Sequence, residues 1–253
     1  MRFQKGSFEL SRAQDFPLLR QVLRCQCVTH DQLFEFMKLG CHEVRRQSFN
    51  WRIKRLVDHG MVQRHYAPAA ASTYIYSIDT LGFLYLQGMG EYCPSSVFSP
   101  TKTPDHLKSF HAIELNELHL SLARANLVEA WIPENEIRST NELTDRGFAK
   151  DYDAVVTLRI GSSRPRFALE YERSPKTISQ YDRIRKAIDA ETIVHQFLYL
   201  TANEHIQSFL LQCLSSTKQR LYIGRAREFP LHLLETPVVD AASGRRVKFG
   251  ETL

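Results

Sequence analysis

Through the first sixty residues the apolar positions fall three and four apart, and beyond them the spacing changes to alternation. Phe16, Leu19, Val22 and Leu23 form one stripe, which predicts a helix over 11–27 with Ser11 as its N-cap. A second helix over 29–38 carries Leu33, Phe34, Phe36 and Met37, opens on Thr29 and stops at Gly40. The third, over 43–59, ends at Gly60 and turns Val44, Phe49, Ile53, Leu56 and Val57 inward. Its opposite face reads Arg45, Arg46, Gln47, Asn50, Arg52, Lys54 and Arg55. Strand spacing takes over in 61–65 and 73–78, on either side of a loop 67–72 that contains Pro68, and this predicts a β-hairpin.

Three helices and then a hairpin is the order of a winged helix-turn-helix domain, with 43–59 as its recognition helix and Arg64 on the wing. The run R-x-L-x-x-x-G-M-V from Arg55 to Val62, with Y-I-Y-S-I-D-T-L-G from Tyr74 to Gly82, resembles many bacterial winged-helix proteins. One more helix is expected over 80–87, after which prolines and serines mark a break. The chain therefore reads as a DNA-binding domain 1–92, a linker 93–104 and a second domain 105–253. The second domain opens with an amphipathic helix over 107–127, followed by strands 129–133, 153–160 and 166–172, the last two joined by Gly161-Ser162-Ser163-Arg164-Pro165 as a hairpin. A polar helix 174–190, a strand 196–200, a helix 204–214 and a strand 220–224 complete the pattern. A helix between two such strands implies a parallel crossover, so the class is α/β.

Composition changes this picture little, but charge sharpens it. Residues 1–100 hold 12 basic and 8 acidic side chains, whereas 101–253 hold 21 and 20, so the basic excess sits in the winged-helix part. A polyanionic partner fits that end, and double-stranded DNA fits it best. No apolar run approaches the roughly 18 residues that span a bilayer, so a cytoplasmic location without membrane contact is expected. The five cysteines are irregularly spaced, with no C-x-x-C pair, and signal neither a disulfide framework nor a zinc site.

Helix, three-strand meander, helix and parallel strand is the core order of the restriction-endonuclease-like, or PD-(D/E)XK, fold. Asp153 begins the second strand, while Glu170 and Glu172 lie two apart on the third and share a face. A hairpin folded about Ser162 and Ser163 would set Asp153 opposite Glu172 and diagonal to Glu170. Oxygen ligands at that density suit a Mg or Mn ion, with Glu114 or Glu117 of the preceding helix completing the set. In active nucleases of this fold a lysine usually stands where Glu172 is, and Lys176 is the candidate replacement. The catalytic set of that reading is Glu114, Asp153, Glu170, Glu172 and Lys176. The competing reading leaves the acids as surface carboxylates paired with neighbours such as Arg166 and Arg173.

The motif order resembles the replication-relaxation proteins of plasmids and other mobile elements. The matching pieces are His111 with Glu114 and Asn116, Asp153-Ala154-Val155, and Glu170-Tyr171-Glu172-Arg173-Ser174-Pro175-Lys176, within a likeness spanning about residues 11–200. The resemblance implies a role in plasmid replication, relaxation or mobilisation, without implying that the chain cuts DNA. Three classes of function follow: a DNA-binding factor or transcriptional regulator, a metal-dependent endonuclease aimed by its winged helix, and a protein-interaction subunit of a mobile-element or defence complex. The first is favoured, because Glu172 replaces the usual lysine. A homodimer or a protein partner is compatible with it.

Overall fold

The computed structural model describes residues 9–66, 74–92 and 106–253, with the backbone alone for 106–108. The expected wing tip 67–72 and linker 93–104 lie outside the described residues. Of those described, 9–66, 74–92 and 106–113 form one compact unit and 114–253 a second.

In the first unit the chain runs through α1 (Asp15–Cys25), β1 (Val28–Thr29), α2 (His30–Leu39), α3 (Arg46–Asp58), β2 (Val62–Tyr66), β3 (Tyr74–Ile78) and α4 (Thr80–Gly88). The strands form one antiparallel sheet in the order β1-β3-β2, in which the two-residue β1 was not foreseen. Leu18, Leu19, Val22, Leu33, Phe49 and Leu56 are wholly enclosed and make the core, as their helical spacing predicts. Thr29 caps α2 through a reciprocal pair with Gln32, which satisfies two N–H groups that the first turn would leave open. Ser11 does not cap α1. The helix begins four residues later, and the Ser11 N–H instead donates to the Asp15 carboxylate at 2.7 Å. Val44 is also corrected: it precedes α3 and stands 67% exposed.

Helix α5 (His106–Arg124) runs across the division between the units, which falls at residues 113 and 114 rather than in the stretch before the helix. Its Ala112 and Ile113 pack against Cys27 and Ile75, and the Ile113 carbonyl accepts from Gln32 Nε2 at 2.8 Å.

The second unit continues with β4 (Val128–Pro133), α6 (Glu134–Leu143), β5 (Ala154–Leu158), β6 (Arg166–Glu172), α7 (Ile178–Ala190), β7 (Gln196–Thr201), α8 (Glu204–Leu214), β8 (Arg220–Arg225), α9 (Phe229–His232), β9 (Pro237–Asp240) and β10 (Arg246–Lys248). One seven-stranded mixed sheet results, ordered β10-β9-β8-β7-β6-β5-β4, with β6, β7 and β8 parallel and the other pairs antiparallel. Leu118 and Leu122 of α5 cover one face, meeting Val156, Leu169 and Leu200. Helices α6, α7 and α8 bring Ile137, Ile188 and Leu210 to the other, against Val155, Ala168 and Tyr199. The meander β4-β5-β6, the crossover α7 and the parallel β7 are in the order expected of a restriction-endonuclease-like α/β domain. Helix α6 and the two strands added after 225 were not anticipated. Helix α7 starts at Ile178 because Thr177 and Gln180 form its capping box, so Lys176 lies ahead of the helix.

Candidate nucleic-acid interface and carboxylate cluster

Helix α3 presents Gln47, Asn50, Trp51 and Lys54 to solvent at spacings of three and four, so they form one exposed row. Arg45 is the N-cap residue, Arg46 follows it, and no acid occupies the first turn. The open N–H groups and partial positive charge of a helix start therefore add to two exposed guanidinium groups. Arg46 is tied to Asp31 and lies 4.8 Å from the Phe34 ring centre. On β2 the exposed Arg64 lies 4.8 Å from the Tyr74 ring centre. Sequence reading overlooked Trp51, which is 61% exposed within the row.

Arg52 and Arg55 do not belong to this row. Arg52 is buried, its Nη1 2.8 Å from Asp15 Oδ1 and its Nη2 3.4 Å from Glu43 Oε2, while Arg55 reaches the other Asp15 oxygen. Burial raises the Asp15 pKa, but the Ser11 N–H and the two guanidinium groups outweigh it and hold the carboxyl below its ordinary 3.8. These arginines lock α3 to α1. Separately, His30 at the start of α2 joins Asn50 Oδ1 through Nε2 at 2.9 Å and Tyr76 Oη through Nδ1 at 3.1 Å.

In the second unit Asp153, Glu170 and Glu172 share one sheet face, as expected, but in a different register. Ile160 and Ser163 bridge across a two-residue turn in which Gly161 takes φ +55°, a conformation that glycine adopts without penalty. Ala154 then pairs with Leu169 and Val155 with Ala168, which places Asp153 opposite Glu170 rather than Glu172. Asp153 Oδ2 accepts the Tyr171 N–H at 2.6 Å. Glu170 is ion-paired with Lys150, whose Nζ also lies 4.7 Å from the Tyr152 ring centre. Glu172 is ion-paired with Lys176. Burial raises the Glu170 carboxyl, the Lys150 ammonium lowers it and Asp153 raises it again, to a net value of about 7.

Glu114 stands apart from the other acids. It accepts from Tyr171 Oη at 3.0 Å and from Arg173 Nε at 2.7 Å, and Tyr171 alternates with Glu170 and Glu172 onto the opposite face. Among the described residues, no group of three or more His, Cys, Asp or Glu side chains is disposed to hold a metal ion. The expected arginine partners of the cluster, Arg166 and Arg173, are replaced by Lys150 and Lys176. On the adjacent strand β7, level with Glu170, the wholly buried Tyr199 hydroxyl has no hydrogen-bond partner among the described residues, and burial together with Glu170 and Glu172 holds its pKa well above 10. Neither Lys150 nor Tyr199 stood out in the sequence, since they lie 20 and 29 positions from Glu170 and only the sheet brings them together.

No protein-family model matches the chain, and no curated protein does. Among solved structures it is similar to the restriction endonuclease FokI, at 12% identity and a TM-score of 0.30, over 85% of this chain and 42% of that one. The same enzyme bound to DNA matches at 11% and 0.27, over 86% and 43%. The chain thus spans less than half the length of the structures it matches. The strand order and connections of the second unit, rather than this likeness, carry the fold assignment.

Proposed function

We propose that this chain is a sequence-specific duplex-DNA-binding protein that docks α3 in the major groove, with Arg45 and Arg46 at the phosphates of its edge. The observation that carries this reading is the exposed row Gln47, Asn50, Trp51 and Lys54, continuous with two arginines at an acid-free helix start. Amides and cations are the groups that read base edges and phosphates. The short motifs shared with replication-relaxation proteins support a setting in a mobile element, in replication, mobilisation or transcriptional control. Changing Arg45, Gln47 and Lys54 together to Ala in the full chain should weaken duplex binding and lower the slope of log affinity against log salt by about one to two, since each lost phosphate contact removes about 0.9. Fluorescence anisotropy across a salt series measures both, and an unchanged slope sinks the assignment.

A second reading, a metal-dependent endonuclease, is favoured by one observation: Lys150 brings a cation to Glu170, opposite Asp153, where the strand lysine is absent. Asp153 and Glu170 would hold a Mg or Mn ion, which supplies an activated water and charge for the leaving oxygen when bound. Lys150 would hold positive charge near the phosphate. Supercoiled plasmid with Mn should then be nicked by the wild type and not by Lys150→Ala. Intact plasmid in both leaves the first reading alone.

A further inference from the structure

We propose that His30 and Tyr76 hold the amide of Asn50 with its oxygen towards His30 and its two donors outward, and that Asn50 therefore prefers a base edge made of acceptors, guanine N7 and O6 or thymine O4, over adenine. The inference deepens the DNA-binding reading and rests on it. It begins from three linked atoms: Tyr76 Oη lies 3.1 Å from His30 Nδ1, and His30 Nε2 lies 2.9 Å from Asn50 Oδ1.

Only one proton arrangement satisfies this chain. Tyr76 is 5% exposed and its Oη has no other hydrogen-bond partner among the described residues, so its proton must go to His30. His30 is half-buried, and burial and the neighbouring Arg46 keep it below its ordinary 6.5, so the ring is neutral and carries one proton. With Nδ1 accepting from Tyr76, that proton sits on Nε2 and is donated to Asn50 Oδ1. The opposite tautomer would strand the Tyr76 proton in the interior with no acceptor. The ring itself is held in place, edge-on to Phe49 at 5.0 Å.

Asn50 thus reaches the exposed row with its oxygen turned to His30 and its two Nδ2 hydrogens outward. An unrestrained asparagine pairs with adenine by accepting from N6 and donating to N7 at once. Turning the amide to do so here breaks the bond from His30 Nε2. An edge that only accepts needs no such turn, so the relay shifts preference towards guanine or thymine.

Two measurements on the full chain test this. Binding sites are selected from a random duplex library with the wild type, Asn50→Ala, His30→Ala and Tyr76→Phe; the position that loses its preference in Asn50→Ala is the one Asn50 reads. The wild type should take guanine or thymine there roughly tenfold over adenine, because with adenine the N6 hydrogen of the base meets no acceptor turned towards it. His30→Ala and Tyr76→Phe should admit adenine while other positions keep their preferences. Adenine chosen by the wild type, or no change in either variant, overturns the proposal. Separately, the long-range nitrogen–proton NMR spectrum of the free protein should show His30 protonated on Nε2. A proton on Nδ1 overturns the relay whatever the DNA result, and an Nε2 proton with no duplex binding at all places the failure on the DNA-binding reading.

Discussion

Arg52 illustrates how one residue's neighbours decide its role. It stands in a row of cations on the sequence of α3, yet it is enclosed between Asp15 and Glu43. Removing one member of a buried ion pair leaves the other charged and without compensation, so Arg52→Ala should lower unfolding stability by about 3 kcal/mol. Urea denaturation measures the loss; a variant as stable as wild type but defective in DNA binding would return Arg52 to the interface. The same cluster predicts a pH dependence. The folded-state pKa of Asp15 lies below its ordinary 3.8, so its contribution is complete above 3.8 and is lost as the pH falls from there through the lower folded value. Stability measured from pH 5 down should therefore drop more steeply in the wild type than in Asp15→Asn.

Elements here are set by caps and close approaches as much as by apolar stripes. Thr29 starts α2 and Thr177 starts α7, each with a glutamine three residues on. Gly82 of α4 serves a different need. A Cβ at this position would stand 2.1 Å from the Met61 carbonyl oxygen, a backbone atom that side-chain rotation cannot move. Gly82→Ala should therefore cost about 1–3 kcal/mol by forcing α4 from the start of the hairpin, although alanine favours helices more. A gain in melting temperature would show that α4 has room to shift. The turn at Gly161 acts on its own element in the same way, because a register moved by two residues decides which glutamate Asp153 faces.

For the whole molecule, the place where the two units divide decides what an isolated fragment contains. The proline and serine content before residue 105 suggested cutting there, but residues 106–113 of α5 pack with the first unit and bond to Gln32. A fragment 1–113 should consequently melt higher than 1–92, by several degrees if the buried contacts of Ala112 and Ile113 are worth about 1 kcal/mol. Circular dichroism on both compares them. Equal melting temperatures would mean that this turn of α5 adds nothing to the core of the first unit.

By itself the sequence determined most of the elements and their order, because apolar spacing of three to four or of two follows directly from helix and strand geometry. It also determined that α3 carries an amide and cation row and that three acids of the second unit share a face. It did not determine which cations of the row are free, since spacing gives angles around a helix and not where Asp15, 37 positions earlier, comes to lie. Helix α6 escaped notice because its ten residues are mostly polar, and its place comes from Ile137 docking on the sheet. Only the tertiary structure joined Lys150 to Glu170, put Glu114 across the sheet from the other acids, and set His30 between Tyr76 and Asn50. Each of these links distant segments, and their positions depend on strand register and helix packing, which local patterns leave open.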